Sequence, residues 1–404
     1  MENRTQAIAI VYLSGFLQGI SLILYPAAGP IFTNPEFHGL SSSQYGVLFT
    51  PQIILAIVAS FVAPGLAGRW GMKQVLRAGL TANLLSMALL TASHFAIGQG
   101  MLPFLLLMLG TAALGTGFGF TITAVNPYAY SYFPGKEASA VTGLHILLGL
   151  GTALSSVLVN FFLELGYWWG AGVLAGSLFL LLTLWMSRLP MPLPSEKTAP
   201  KPPSVWRAPA RVWLFFLVIF LYGACEATFG NWAPIYLEKQ AGLSLAGAAL
   251  GLSLFWGSIA AGRFLFTVAA LRFDLRMLHL VMPLLVAAVF FSMPQAEGAA
   301  ANYVALVLAG LGLSFYFPFT ISIATGEFPA FSATVSGILV AAIQLGTGVS
   351  SNVIGMLNDT LSLSSIIQFS SVYAVLMSGL ALYLYASRRK KGIAPDPERV
   401  LIKQ

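Results

Sequence analysis

Residues 220–237 read FLYGACEATFGNWAPIYL and set one carboxylate, Glu226, inside an otherwise apolar run. That run begins after Arg211 and ends before Glu238, longer than the roughly 20 residues a helix needs to cross a bilayer. Glu226 falls near its middle, where a charge costs roughly 2.5–3.5 kcal/mol on insertion scales. A carboxylate at that depth is expected to face a polar cavity and to act there. The competing structural reading is a protonated Glu that hydrogen-bonds a neighbouring helix and only packs.

Composition places the whole chain in the same setting. Of 404 residues, 57% are hydrophobic and 8% charged, against about a quarter charged in soluble domains, so the chain reads as a polytopic membrane protein. Its 40 glycines suit helices that approach closely in lipid. The single cysteine, Cys225, excludes an intrachain disulfide and a cysteine-cluster metal site, and reads as a buried filler. No metal-ligand spacing, nucleophile elbow or phosphate-binding glycine loop occurs, and the loops are short. We therefore expect no enzyme, no catalytic residue, no metal and no cofactor.

The net charge of +7 is a matter of topology. Arg69, Lys73 and Arg77 share one loop, Arg188, Lys197, Lys201, Arg207 and Arg211 a second, Arg272 and Arg276 a third, and Arg388, Arg389, Lys390 and Lys391 follow the last span. The alternate loops carry no Lys or Arg except Lys239. This positive-inside pattern puts both termini in the cytoplasm and makes the lipid bilayer, not nucleic acid, the partner. The expectation is a monomer in the plasma (inner) membrane. The first apolar run, Ala7 to Phe32, is too long for a signal-peptide core and reads as a retained span.

Apolar runs bounded by Gly, Pro or charge give spans at 7–33, 43–67, 75–97, 101–131, 138–163 and 167–188, then 211–237, 246–271, 276–294, 301–326, 332–357 and 364–387. The expected fold is an all-α membrane protein of twelve transmembrane helices in two pseudo-symmetric six-helix bundles. Residues 1–188 form the first bundle, 189–210 a Pro-rich cytoplasmic linker, 211–390 the second bundle and 391–404 a cytoplasmic tail. The halves repeat. At an offset of 204, Leu13, Phe16, Leu17, Gly19, Pro30 and Ile31 match Leu217, Phe220, Leu221, Gly223, Pro234 and Ile235. At an offset of 195, Phe133, Pro134, Leu150, Gly151, Thr152, Ser155 and Ser156 match Phe328, Pro329, Leu345, Gly346, Thr347, Ser350 and Ser351. Parallel duplication with a site between the halves is the plan of many secondary transporters.

The same offset sets Gln18, Leu22 and Tyr25 at the positions of Tyr222, Glu226 and Phe229, on one helical face. Glu226 is thus an asymmetric addition to a symmetric frame, which favours function over scaffold. Span 5 presents His145, Gly149, Thr152 and Ser156 on one face, and the repeat gives Val340, Gln344, Thr347 and Ser351 in span 11; both faces are expected to point inward. His145 reads either as a hydrogen-bonded structural residue or as a group that binds solute or exchanges a proton with Glu226. Asn126, before Pro127, either satisfies the kink or binds solute. Tyr316 and Thr320, near Pro318, carry the same two readings. Asn231 and Trp232 lie beyond Glu226 toward the outer face, Trp232 as an interfacial anchor or as a stacking platform for a sugar ring. Arg69 and Arg263, at or near the cytoplasmic ends of spans 2 and 8, read as gate or topology residues.

Over essentially its whole length the chain resembles the major facilitator superfamily. Residues 64–76, including Gly68-Arg69-Trp70-Gly71-Met72-Lys73, are similar to its loop 2–3 signature, with Gly68 where Asp and Met72 where Arg is usual. Within the superfamily, Tyr222 to Trp232, Asn126-Pro127-Tyr128 with Phe133-Pro134, His145 with Gly149 and Gly151, and Pro318 with Ser322 resemble the fucose permease group of sugar and proton symporters. The resemblance implies an alternating-access cavity with sugar bound between the halves, and puts His145 where that group contacts sugar through a Gln. The acidic residues of spans 1 and 4 in that group correspond to Leu22 and Ile122 here, so ion coupling would fall on Glu226. The expected function is secondary transport of a small polar organic solute, sugars first, with a proton or sodium ion as coupling ion. The alternative is a proton-coupled exporter or antiporter of amphiphilic compounds.

Overall fold

The computed structural model describes residues 2–193, 205–270 and 272–390. Residues 194–204 of the Pro-rich segment, with Lys197 and Lys201, and the tail 391–404 lie outside the described residues.

Among the described residues twelve helices are long and apolar enough to cross a membrane: α1 Arg4–Thr33, α2 Ser42–Trp70, α3 Met72–Phe95, α4 Leu102–Tyr132, α5 Ser139–Glu164, α6 Gly170–Ser187, α7 Val212–Lys239, α8 Leu245–Ala269, α9 Arg276–Gln295, α10 Gly298–Glu327, α11 Thr334–Leu357 and α12 Leu363–Ser387. Helices satisfy every backbone N–H and C=O internally, which lipid demands. They form the two six-helix bundles of the fold class, and the described residues contain no strand.

The repeat has a physical cause in helix crossings. In the first half Gly19 meets the backbone of Leu148 and Gly151 that of Phe16, so α1 and α5 touch main chain to main chain. In the second half Gly223 meets Ile343 and Gly346 meets Phe220, at the same offsets, joining α7 to α11. The hydroxyl of Ser155 donates to the Ile20 carbonyl at 3.0 Å and that of Ser350 to the Ala224 carbonyl at 3.4 Å, again a matched pair. Gly115 against Gln52 and Gly310 against Phe255 repeat the device between α2 and α4 and between α8 and α10. Without a hydrophobic drive between helices in lipid, such close approach and interhelical hydrogen bonds supply the association energy.

These crossings correct one expectation. On the two faces expected to point inward, Thr152 returns its hydroxyl to the Gly149 carbonyl at 2.7 Å, Thr347 donates to the Gly223 carbonyl of α7 at 3.3 Å, and Gly149 packs against Ala260 of α8.

Helix α7 departs from regularity just past Glu226. Pro234 has no N–H to give the Gly230 carbonyl, and residues Thr228–Trp232 form a π-helical turn before it. Such wide turns recur at functional sites. Its partner α1 breaks at Ala28, the same short distance ahead of the matching Pro30.

Between α1 and α2, the loop at 34–41 tucks His38 against Phe32 and Trp168. The Ser93 hydroxyl donates to the Leu90 carbonyl at 2.7 Å, so the His38 Nε2–H is the donor in its 3.0 Å bond to Ser93 and the ring is neutral. Burial, with His94 nearby, pushes the His38 pKa from 6.5 down to about 4. The unfolded chain then binds this proton at higher pH than the folded one. The folded protein is expected to lose stability as pH falls from about 6.5 toward about 4, and His38→Gln to lose less. Thermal melts in detergent across that window check this; equal losses in both proteins would exclude His38 as the group.

Candidate functional site

One end of the molecule is sealed by contacts between the halves. Tyr45 of α2 is fully buried, donates its hydroxyl to the Asn231 carbonyl at 2.8 Å, and meets the ring of Trp232 edge-on at 5.1 Å. Asn231 in turn donates to the Ser351 hydroxyl at 2.8 Å. Lys239 of α7 donates to the Thr33 carbonyl at 3.0 Å, at the C-terminal end of α1, where a helix carries partial negative charge. Asn358 donates to Ser42 at 2.8 Å, and Ser43 with Asp359 and Asn352 with Thr50 complete the seam. Gly46 and Gly355 let α2 and α11 touch backbone to backbone.

At the opposite end the ties run within each half. Arg4 donates to the Tyr132 carbonyl at 2.6 Å and Lys73 to the Leu189 carbonyl at 2.7 Å in the first. Arg211 pairs with Glu327 and donates to the Leu384 carbonyl at 2.6 Å in the second.

Between these ends Glu226 sits close to the midpoint of α7, half-buried, with its Oε2 enclosed and without a hydrogen-bond partner. Arg263, on the neighbouring α8, is also half-buried and within electrostatic reach of Glu226. It donates its Nε–H to the Ser314 carbonyl at 3.2 Å, which aims the guanidinium. The ion pairs of the described residues are Arg211–Glu327 and Arg276–Asp274, so Glu226 and Arg263 share the site without ion-pair contact. The Tyr222 hydroxyl stands near both charged groups, though in good hydrogen-bond geometry with neither. His145 of the first half is exposed on α5 and within electrostatic reach of Arg263. The packing of α5 on α8, through Gly149 against Ala260 and Gly257 against Ala153, brings the two halves together here.

Arg263 lies six residues from the end of α8 and within electrostatic reach of Glu226, while Arg69 is exposed at the end of α2. Other expected site residues are committed elsewhere. Gln18 is buried and shares an amide pair with Asn83, whose Nδ2 donates to Gln18 Oε1 at 2.7 Å. Tyr25 turns into the first bundle, its hydroxyl 3.2 Å from the Ser86 carbonyl. Asn231 and Trp232 belong to the sealed seam. Asn126 is half-buried and spends its Nδ2 on the Ile122 carbonyl at 3.0 Å, the local alternative, while its Oδ1 has no partner. Gln344 is half-buried on α11.

Tyr316 and Thr320 join a network that sequence reasoning missed. His279 of α9 is buried between Thr320, 2.9 Å from its Nε2, and Tyr385, 2.9 Å from its Nδ1. Thr320 gives its own proton to the Tyr316 carbonyl at 2.7 Å, so His279 donates from Nε2 to Thr320. Tyr316 meets the His279 ring at a tilt, 4.3 Å between centroids, and lies parallel to Tyr222 at 6.1 Å, which links this brace to the site. Single polar residues in apolar spans, His279 and Asn83 among them, were the available signal.

A sealed end, a carboxylate at the midpoint of α7, and an arginine and a first-half histidine nearer the other end mark out a two-bundle polytopic membrane protein. The two halves carry matched helix crossings. The chain belongs to the Major Facilitator Superfamily, whose family model matches residues 11–351. It is 28% identical over 264 residues to the 2-nitroimidazole transporter of Escherichia coli (strain K12), an alignment that covers 60% of this chain and 64% of that protein, under two thirds of its length. It is 23% identical over 300 residues to the glucose/mannose transporter GlcP of Bacillus subtilis (strain 168), covering 70% and 73%. The fold matches that of a bacterial homolog to the human lysosomal transporter Spinster with a TM-score of 0.78 at 16% identity, over 98% of this chain and 99% of that one. The family and these relatives are transporters, not enzymes.

Proposed function

We propose that this protein is a secondary active transporter that moves a small polar organic solute by alternating access, coupled to a proton through Glu226. The observation that carries this is a half-buried carboxylate at the midpoint of α7, within electrostatic reach of an arginine with which it makes no ion pair, that arginine being in turn within reach of a histidine from the other half. A carboxylate so placed exchanges a proton far more cheaply than it holds a fixed charge in lipid. In this reading the basic loops face the cytoplasm and the sealed seam lies on the outer side, which supports an inward-facing arrangement of the halves 1–188 and 211–390. Sugars and related compounds are the expected class, supported by the resemblance to the fucose permease group and by the glucose/mannose relative. His145, Asn126 and Gln344 supply hydrogen-bonding groups for such a solute.

The test is uptake into proteoliposomes holding a pH-sensitive dye, with D-glucose, D-mannose and D-glucuronate as probes. Wild type should accumulate a probe under an imposed proton gradient and carry protons with it. Glu226→Gln should lose uphill accumulation at least tenfold while still exchanging solute at equilibrium. A Glu226→Gln protein that accumulates solute against its gradient sinks the coupling role. The aromatic stack of Tyr222, Tyr316 and Phe317 beside the site favours one second reading, antiport of an aromatic amphiphile. Protons would then move opposite to the solute in the same assay.

A further inference from the structure

Arg263 is the group in the central site that remains unexplained by a proton-coupled carrier of neutral solutes. Its side chain is half-buried at a depth of six residues from the end of α8, the same depth as His145 from the start of α5. Of the five guanidinium N–H donors, only Nε–H is committed, to the Ser314 carbonyl. That bond anchors the guanidinium at its Nε, and its charge is felt by Tyr222, Glu226 and His145. An arginine at this depth is expected to be paired, and the other arginine tied to a helix end in this half, Arg211, has its carboxylate in Glu327. Arg263 has none in contact.

We infer that Arg263 is the anchor for a carboxylate on the transported solute, so that the cargo is a hydroxylated organic acid of the sugar-acid or hydroxy-acid type. This rests on reading the surroundings of Glu226 as the transport site. A planar guanidinium matches a carboxylate through two parallel hydrogen bonds, and His145, within reach of Arg263, offers a group for a solute hydroxyl. In the empty carrier the Glu226 charge balances Arg263 across a gap. When the solute carboxylate takes the fork, two negative groups compete for one positive one. Glu226 then takes up a proton from a hydronium ion: an O–H bond of the hydronium breaks to leave water, one O–H bond forms on the carboxyl, and the site again holds one positive and one negative charge. One proton moves with one anion, and the cycle is electroneutral.

The experiment is ligand-induced thermal stabilisation of the purified full-length protein, with acetate, lactate, D-gluconate and D-glucuronate against D-glucose and D-mannose. A specific binder raises Tm by mass action. The expected result is that at least one carboxylate stabilises wild type, that Arg263→Gln weakens its binding about a hundredfold, and that Arg263→Lys, which keeps the charge but loses the fork, falls between. Glu226→Gln should bind the same carboxylate more tightly than wild type and lose its pH dependence. If no carboxylate stabilises wild type, or if the shift survives Arg263→Gln, the inference fails. Should Arg263→Gln fail to fold, Arg263→Lys carries the decision, and undiminished affinity there overturns it. Carboxylate binding that depends on Arg263, together with normal uphill uptake in Glu226→Gln, would retain this inference while removing the coupling role of Glu226; the opposite pair of results would do the reverse.

Discussion

Cysteines at Ser42 and Asn358, oxidised to a disulfide, are expected to lower transport more than tenfold, with full recovery on reduction. Asn358 donates to Ser42 at 2.8 Å across the seam, and Gly46 and Gly355 hold the two backbones in contact one turn away. The two positions therefore face each other across the seam, where a cross-link would tie α2 to α11. The single native thiol, Cys225, is fully buried and does not compete for the oxidant. In alternating access this seam must part once per cycle. A covalent tie there leaves solute able to enter from the parted side and unable to leave by the sealed one. Uptake into proteoliposomes, with the cross-link quantified by gel mobility, checks this. If protein shown to be cross-linked still transports at the wild-type rate, the seam is not the gate.

Gly19→Leu and Gly223→Leu are expected to remove most folded protein. A Cβ at either position falls inside the contact distance of a main-chain carbonyl oxygen, that of Leu148 or of Ile343. Overpacking against movable side chains costs about 1–3 kcal/mol. Here the obstacle is backbone, so the helices must separate, and the Ser155–Ile20 or Ser350–Ala224 hydrogen bond separates with them. Gly379→Leu, on α12 with nothing within 4 Å of its added Cβ, should fold at wild-type yield. The monodisperse peak on detergent size-exclusion chromatography reads the difference. Wild-type yield from Gly19→Leu would show that the crossing relaxes.

How much of the site could be read before the fold was seen depends on what each residue's signal was. Glu226 announced itself because a carboxylate in an apolar run is costly whatever surrounds it. Arg263 carried the same cost but stood near a helix end, and distance along one helix cannot show that the side chain reaches toward a residue on another. Gln18 and Tyr25 share a helical face with the Glu226 equivalent, yet Asn83 and Ser86 of α3 draw them into the first bundle. The matched serines of spans 5 and 11 were legible as a repeat. That they serve helix crossings rather than a cavity follows from the glycines opposite them, which sequence spacing does not place. Trp232 reads alone as an interfacial anchor, and only its contact with Tyr45 from the other half makes it part of a plug.

The sequence by itself determined the membrane setting, the twelve spans, the duplication and the depth of Glu226. Hydropathy, helix length and the cost of charge in lipid are local quantities, summed along the chain. The tertiary structure alone decided which end is sealed, that Arg263 lacks an ion-pair partner, and that His279 is braced between Thr320 and Tyr385. Each of those is a relation between side chains on different helices, set by how the helices cross and rotate. The carboxylate at 226 is common to both: its cost was written in the run that holds it, and its neighbours were not.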